Sequence, residues 1–268
     1  MFLGGLSVSA YEEQPRKTGR MPDHDTRLLK LGDISEAIQL LTRLPVRHSG
    51  TYRGAAAAWA YPVAGLLVGT FGAIVAAVTS DLPGAVSAGL VLFTMVFVTG
   101  ALHEDGLADT ADGLWGGKTA TDRLAIMKDS RIGAFGVLAL VFGLGLKWAA
   151  MSSIADNGSL WPVVLVVAAM SRMPMVVVMY ILPNARTGGL SENTGRPGQK
   201  TTLVAIGIGL LIGFLAFGLS VIFLALLLVA TTLTVTAIAR SKIRGQTGDI
   251  LGATQQVSEI AILLYVIT

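Results

Sequence analysis

Long runs without a charged residue are the feature that most constrains this chain. No Asp, Glu, Lys or Arg occurs in residues 54–80, 82–103 or 201–239, and residues 132–155 and 157–185 carry one each. A helix needs about 20 apolar residues to cross the hydrocarbon layer of a bilayer. Every backbone N–H there must also find a partner within the protein, which a helix provides. The runs therefore predict membrane-spanning helices.

The composition supports the same class. Apolar residues make up 53% of the chain and charged residues 14%, against roughly 25% charged in an average soluble domain. These values exclude a disordered chain, a collagen-like fibre and a disulfide-rich secreted module, and they argue against an ordinary soluble domain. The absence of cysteine excludes a disulfide or a thiolate site. We predict an all-α, polytopic integral membrane protein with about seven spans, near residues 55–80, 83–102, 133–155, 160–182, 201–217, 220–239 and 251–268.

Basic residues alternate along the predicted connections and so predict an orientation. Residues 1–53, 102–131, 186–200 and 240–256 all contain Lys and Arg, whereas the turns near Asp81, Asp156 and Gly218 contain none. The positive-inside rule then places the N-terminus and the long loops in the cytoplasm. Residues 1–32 are predicted to be a polar extension and residues 33–268 the membrane domain. A helix near 33–44 is expected either on the inner leaflet or packed on the cytoplasmic loops.

The segment from His103 to Gly117 concentrates acidic residues. Asp105, Asp109 and Asp112 stand at i, i+4 and i+7, which on a helix places their carboxylates on one face. Like charges at this spacing repel one another, so a bound cation would stabilise them, and oxygen ligands favour Mg²⁺. The alternative is a solvated acidic stripe. His103 and Glu104 flank this face.

A basic group follows just before the third predicted span. Lys128, Asp129 and Arg131 lie close together in the sequence. Basic side chains beside a metal site suit a phosphate ester, because they neutralise charge that the metal leaves uncompensated. The alternative for Lys128 and Arg131 is ordinary anchoring at the inner surface of the membrane.

Two cationic residues fall within predicted spans. A charged group at the centre of a bilayer costs about 2.5–3.5 kcal/mol on insertion scales, so Arg172 should face a polar interior. There it would either pair with Glu259 or contact a substrate. Lys147 is expected to be a snorkelling or packing residue.

Two polar, glycine-rich loops complete the set of candidates. The first contains Arg186, Gly188 and Gly189, and the second runs from Arg244 to Asp249. Backbone N–H groups, hydroxyls and an Arg in each favour substrate binding, and Asp249 adds a carboxylate for a metal. Neither loop matches a P-loop or dinucleotide-binding pattern. The substrate-binding candidates are Arg172, Arg186, Gly188, Gly189, Arg244, Thr247 and Gly248.

Four segments carry a resemblance to a known family: residues 40–46, 103–117, 127–136 and 245–253. Through them the chain resembles the cobalamin synthase family of adenosylcobinamide-GDP ribazoletransferases. The resemblance runs from about residue 33 to the C-terminus. It implies a Mg²⁺-dependent transferase of the bacterial inner membrane, with its active site facing the cytoplasm. Such an enzyme joins α-ribazole, or its 5′-phosphate, to adenosylcobinamide-GDP and releases GMP. No nucleic-acid partner is expected, the lipid bilayer is a partner, and a homo-oligomer is left open.

The resemblance also gives the candidate residues their hypothetical roles. The metal candidates are Asp105, Asp109, Asp112, Asp129 and Asp249. The catalytic candidates are His103, Glu104, Asp105, Lys128 and Arg131. Among them His103 or Glu104 would act as the base for the attacking hydroxyl, while Lys128, Arg131 and Arg172 would neutralise phosphate charge.

Two other classes compete with this interpretation. A CDP-alcohol phosphotransferase also places Mg²⁺ and a diphosphate at a membrane surface, but its expected DxxDGxxAR pattern is absent around Asp105. A secondary transporter would be compatible with glycine-rich helices and an intramembrane Arg172. Transporters bind their substrates near the midplane of the bilayer, however, whereas the acids here cluster at one surface.

Overall fold

The computed structural model describes residues 28–47 and 50–268. Within these residues the chain is built from α-helices and has no β-strand, so the all-α prediction is confirmed. A 3-10 helix, Gly54–Ala60, leads into α2, and a second, Gly218–Ser220, joins α10 to α11. The helices are α1 Leu31–Leu41, α2 Tyr61–Val78, α3 Gly84–Thr99, α4 Leu102–Gly116, α5 Ala120–Ile126, α6 Ala134–Asn157, α7 Leu160–Met170, α8 Met173–Ile181, α9 Leu190–Thr194, α10 Gln199–Phe217, α11 Val221–Ile243 and α12 Gly248–Val266.

Fewer helices qualify as membrane spans than the seven we predicted. In the described part of the chain, four helical segments are long and apolar enough to cross a bilayer, or five if α3 and α4 form one bent span. This finding supports a polytopic membrane protein. The four segments are Gly54–Val78, Ala134–Asn157, Leu160–Ile181 and Gln199–Ile243.

The difference in number has physical reasons. Gln199–Ile243 is a 45-residue helical run, about 68 Å if straight, which is more than twice the thickness of the hydrocarbon layer. Its two halves correspond to the predicted spans 201–217 and 220–239. Ala205 of α10 and Ala239 of α11 lie in the same core cluster, so the chain reverses between them. The predicted last span falls on α12, which is too polar to qualify because it carries Gln255, Gln256 and Glu259.

Helices α3 and α4 together cover α6, although they are bent against each other by 87°. The bend lies at Gly100 and Ala101, which both have left-handed backbone conformations, with φ of +63° and +57°. At one end of α6, Gly84 N–H donates to Asp156 Oδ1 at 2.9 Å. At the other end, the Asp112 carboxylate of α4 accepts from Gly133 N–H at 2.7 Å. The acidic helix α4 therefore lies along the first half of α6, inside the bundle.

Helix α1 is packed on the bundle through two buried acidic residues. Asp33 accepts hydrogen bonds from Trp59 Nε1 at 2.6 Å and from Arg53 Nη1 at 2.7 Å. Glu36 accepts from the backbone N–H of Arg53 and of Gly54, at the positive end of the helical segment that begins there. These contacts pack α1 against the start of that helical segment, and its position relative to the inner leaflet stays a prediction. Residues 1–27 of the predicted extension lie outside the described residues.

Four buried charged side chains form what we call the inner charge cluster: Glu104, Lys147, Arg172 and Glu259. Lys147 Nζ lies 3.5 Å from Glu104 Oε1 and 3.8 Å from Glu259 Oε1. The expectation that Lys147 snorkels or merely packs is therefore wrong, since two carboxylates in the interior stabilise its charge. The cluster ties α4, α6 and α12 together at the break between α7 and α8.

Arg172 occupies this break, where α7 ends and α8 begins with Pro174 near its start. Its guanidinium donates to the carbonyl of Ala168 at 2.6 Å and is attracted by the charges of Glu259 and Glu104. Arg172 and Glu259 form no ion pair within 4.0 Å, so pairing with Glu259 and contact with a substrate both stay predictions.

Replacing Lys147 with Met tests the inner charge cluster. The variant leaves two carboxylates buried without their cation, and we expect it to lose about 3–5 kcal/mol of stability, the usual result of removing one partner of a buried pair. Thermal unfolding of detergent-purified protein measures the loss. Exposed Lys200 supplies the control Lys200→Met, which should unfold like the wild type. Equal unfolding temperatures for the two variants would contradict this account of the cluster.

Candidate active site

A close crossing of α4 and α12 creates the candidate active site. Gly106 of α4 and Gly252 of α12 face each other, and a Cβ built on Gly252 would lie 3.2 Å from the Cα of Gly106. A Cβ on Gly106 would lie 2.9 Å from the carbonyl oxygen of Asp249. Glycine at both positions lets the backbones approach this closely. The crossing brings Asp249 beside the acidic face of α4.

The three predicted carboxylates of α4 differ in their surroundings. Asp105 is exposed, Asp109 is half-buried and Asp112 is buried. Both oxygens of Asp112 accept backbone hydrogen bonds, from Gly133 at 2.7 Å and from Gly136 at 2.9 Å. Asp112 therefore caps the N-terminus of α6, and its role as a metal ligand stays a prediction.

Negative charge accumulates around Asp109. Asp105, Asp112 and Asp249 all repel its carboxylate, and Arg186 partly offsets this repulsion. No group of three or more Asp, Glu or His side chains within the described residues is arranged to hold a metal ion. Mg²⁺, however, is usually held by one or two carboxylates together with substrate phosphates and water. The donor set of Asp105, Asp109 and Asp249 is compatible with that mode of binding.

An open pocket lies beside these residues. His103, Asp105, Arg186, Gly248 and Asp249 all line it, so five of the predicted site residues converge here from three separate segments. The rest of the wall is mostly apolar and comes from α1, α8, α12 and neighbouring segments: Leu40, Leu41, Tyr61, Leu102, Met175, Met179, Leu190, Ser191, Thr194, Leu251 and Gly252.

The polar side of the pocket is held by an ion pair. Arg186 Nη2 lies 3.1 Å from Asp249 Oδ2. Thr247 donates a hydrogen bond to the same carboxylate oxygen at 3.1 Å, and its Oγ1 also accepts from the N–H of Ile250 at the start of α12. The second terminal nitrogen of Arg186, Nη1, is buried and has no hydrogen-bond partner in the described part of the chain. The side chain to which this nitrogen belongs lines the pocket.

Other predicted residues lie outside this pocket. Lys128 and Arg131 are exposed, and Arg131 donates to Asp129 at 2.6 Å. Hydrogen bonds from Arg131 lower the pKa of Asp129 to about 2, so this pair stays charged at any ordinary pH. Arg244 is exposed as well. Gly188 and Gly189 belong to the loop that carries Arg186, but neither lines the pocket.

A much smaller cavity lies deeper in the bundle and is lined by the inner charge cluster. His103 lines both this cavity and the open pocket. Glu104 faces the inner cavity and accepts from Gln256 Nε2 at 2.8 Å. Nε2 of His103 is buried and lacks a hydrogen-bond partner among the described residues. The structure thus gives His103 access to the pocket and places Glu104 in the interior.

Sequence reasoning missed several polar residues around the site. Gln255 and Gln256 join Glu104 to Glu259 and Ser171, and two adjacent amides in an otherwise apolar helix could have signalled a buried network. Asn184, Ser191 and Gln246 connect the two glycine-rich loops. Nothing in the sequence pattern pairs these three, because the contact joins residues far apart in the chain.

Comparison with known proteins identifies the family. Residues 33–267 match the profile of a family described as cobalamin-5-phosphate synthase. A relative from Bradyrhizobium diazoefficiens, called adenosylcobinamide-GDP ribazoletransferase, is 42% identical over 91% of this chain and 96% of its own length.

Two further relatives carry the same name. The one from Mesorhizobium japonicum is 42% identical over 87% of this chain and 92% of its own, and the one from Sinorhizobium medicae is 40% identical over 86% and 94%. No solved structure matches the chain. The predicted resemblance is confirmed: with a profile that covers nearly all of the described residues and relatives aligned over most of their length, this chain belongs to the cobalamin-5-phosphate synthase family.

Proposed function

We propose that this chain is an adenosylcobinamide-GDP ribazoletransferase that acts at the cytoplasmic face of a bacterial inner membrane. The observation that carries the proposal is the pocket at the α4–α12 crossing. There a free guanidinium nitrogen of Arg186 lies beside the carboxylates of Asp105 and Asp249. Positive and negative groups side by side suit a metal-bound diphosphate, since the cation binds the carboxylates and the Arg binds phosphate oxygens.

The reaction balances as one phosphoryl transfer. A ribose hydroxyl of α-ribazole, or of its 5′-phosphate, attacks the phosphorus that carries cobinamide. A new P–O bond forms, the bond to the GMP oxygen breaks, and GMP leaves. The products are adenosylcobalamin, or its 5′-phosphate, and GMP. Because such transfers need mainly alignment and charge neutralisation, a few fixed charged side chains suffice.

The side chains in the pocket have distinct proposed roles. Arg186 holds the phosphate oxygens through its free nitrogen. His103 accepts the proton of the attacking hydroxyl, because it is the imidazole that lines the pocket. Glu104 is less suited to this role, since Lys147 and Gln256 occupy its carboxylate in the interior. The apolar wall formed by Leu40, Met175 and Met179 suits the large, partly apolar substrate.

Mg²⁺ is part of the proposal. One or two of Asp105, Asp109 and Asp249 would hold it, and when bound it would neutralise the negative charge of the diphosphate. Helix α4 has to keep several like charges together, which is favourable only when a cation compensates them. The exposed pair of Asp129 and Arg131 lies outside this set.

The orientation is supported by the distribution of charge at the two ends of the bundle. The end that carries the pocket also carries Arg186, Arg196 and Lys242, in loops next to α9 and at the end of α11. At the other end Asp156 contacts Gly84, and the turn there contains Asp81 and no basic residue. The positive-inside rule assigns the basic end, and with it the pocket, to the cytoplasm.

Purified protein in liposomes should convert adenosylcobinamide-GDP and α-ribazole into cobalamin and GMP in equal amounts when Mg²⁺ is present. We expect EDTA to abolish GMP release and added Mg²⁺ to restore it, because the diphosphate charge is then neutralised again. Chromatography of the products measures both. Substrate uptake into the liposomes without GMP release would instead support a transporter, and transfer to a lipid would support a CDP-alcohol-type phosphotransferase.

Asp109→Asn tests the metal site. Removing one charge from the acidic face should raise the Mg²⁺ concentration for half-maximal GMP release by about tenfold or more, as changes around metal ligands commonly do. Asp81→Asn, an exposed site at the opposite end of the bundle, is the matched control and should behave like the wild type. An unchanged Mg²⁺ dependence in a well-folded Asp109→Asn protein would remove Asp109 from the proposed site.

A further inference from the structure

Two loops that are far apart in the sequence are joined next to the pocket. One follows α8 and carries Arg186, and the other precedes α12 and leads to Asp249. Their backbones form a short parallel bridge, in which Ala185 N–H donates to the Gln246 carbonyl and Gln246 N–H donates to the Pro183 carbonyl, each at 2.8 Å. Arg186 and Asp249 therefore lie two and three residues from the ends of this bridge, at Asn184 and Gln246.

Side chains reinforce this bridge through what we call the loop clasp: Asn184, Ser191 and Gln246. The amide nitrogen of Gln246 donates to Asn184 Oδ1. Ser191 Oγ lies 2.7 Å from Gln246 Oε1 and 3.1 Å from Asn184 Oδ1. Gln246 is 2% exposed, so its polar atoms depend on these partners.

The loops approach each other so closely that a side chain between them would collide. A Cβ on Gly245 would lie 2.9 Å from the backbone nitrogen of Ala185. The position of the Arg186 loop is thus set by two kinds of contact. One is the close approach of the two backbones, and the other is the set of directional hydrogen bonds that the side-chain amide of Gln246 makes. Gln246 itself does not line the pocket.

We infer that Gln246 is a positioning residue for the transfer reaction. It holds the loop of Arg186 against the start of α12, and so fixes the separation between the guanidinium that binds phosphate and the carboxylate of Asp249. The inference rests on the proposed function, and it adds a residue that touches neither substrate. A displacement of about 1 Å in a positioning group can reduce a rate by about 100-fold.

Substitution of Gln246 by Leu tests the inference, because Leu keeps the volume and removes both side-chain hydrogen bonds. We expect kcat/KM for adenosylcobinamide-GDP to fall by about 10- to 100-fold, with a higher KM, because Arg186 and Asp249 no longer face a diphosphate together. Gln199→Leu, at an exposed position at the start of α10, is the matched control and should retain wild-type values. Thermal unfolding of both variants distinguishes two causes of lost activity. An unchanged unfolding temperature indicates a misplaced loop, and a lowered one indicates a general loss of structure.

A swap of the two amides provides a rescue that does not depend on the stability of one variant. Gln246→Asn shortens one side chain of this contact by one methylene, and Asn184→Gln lengthens the other by one. The double variant therefore keeps the combined length of the two side chains. We expect each single substitution to weaken substrate binding and the pair to restore most of it. Direct binding of adenosylcobinamide-GDP, by calorimetry with the detergent-purified protein, reads this out without turnover. Additive losses in the double variant would contradict the proposed contact.

Loop separation can be measured directly because the chain contains no cysteine. Asn193→Cys and Ser241→Cys, both at exposed positions, accept nitroxide labels on the α9 side and at the end of α11. Pulsed EPR should give a narrow distance distribution, and Gln246→Leu should broaden it. Wild-type kinetics together with an unchanged distribution in Gln246→Leu would overturn the inference. Absence of GMP release from the wild-type protein would instead overturn the proposed function.

Discussion

The structure depends on how a membrane protein accommodates one strongly polar helix. Helix α4 carries His103 and four carboxylates, and it lies inside an apolar bundle where an unpaired charge is costly. Two of the carboxylates are supported by a neighbour in the interior. Glu104 pairs with Lys147, and Asp112 caps α6. Asp105 lines the pocket with Asp249 and Arg186, and Asp109 is close enough to all three to be affected by their charges. The carboxylates without an interior partner are the ones that could bind a cation.

This division creates two polar levels in the bundle. The inner level is a closed charge cluster in which acids and bases neutralise one another, and it fixes α4, α6 and α12 in relative position. The outer level is an open pocket with an excess of carboxylates and one partly free guanidinium. His103 lines both. For the function that we propose, the fixed interior would keep the groups of the pocket aligned, which phosphoryl transfer requires.

Much of this arrangement could be predicted from the sequence, and the rest could not, for identifiable reasons. The charge-free runs predicted a helical membrane protein, because apolar runs of this length match a helix that crosses a bilayer. The i, i+4, i+7 spacing placed Asp105, Asp109 and Asp112 on one face, but spacing does not reveal that Asp112 turns to the N-terminus of α6. Lys147 was misjudged because both of its partners lie on other helices.

The same reasoning applies to the loops. Arg186, Gly248 and Asp249 were recognised as candidates, and the structure brings them to one pocket. Gln246 was not recognised, because its partners are 55 and 62 residues away in the chain. Lys128, Asp129 and Arg131 stand near α4 in sequence but lie outside the pocket, since the capped start of α6 directs that segment elsewhere. Long-range contacts decide such cases, and local patterns do not contain them.

A structure of the protein determined with Mg²⁺ and adenosylcobinamide-GDP would test the central claim most directly. The account predicts the diphosphate in the pocket between α4 and α12, with Arg186 on its oxygens and the cation held by Asp105, Asp109 or Asp249. A diphosphate bound instead at the exposed segment around Lys128 and Arg131, with the pocket carboxylates far from any cation, would contradict it.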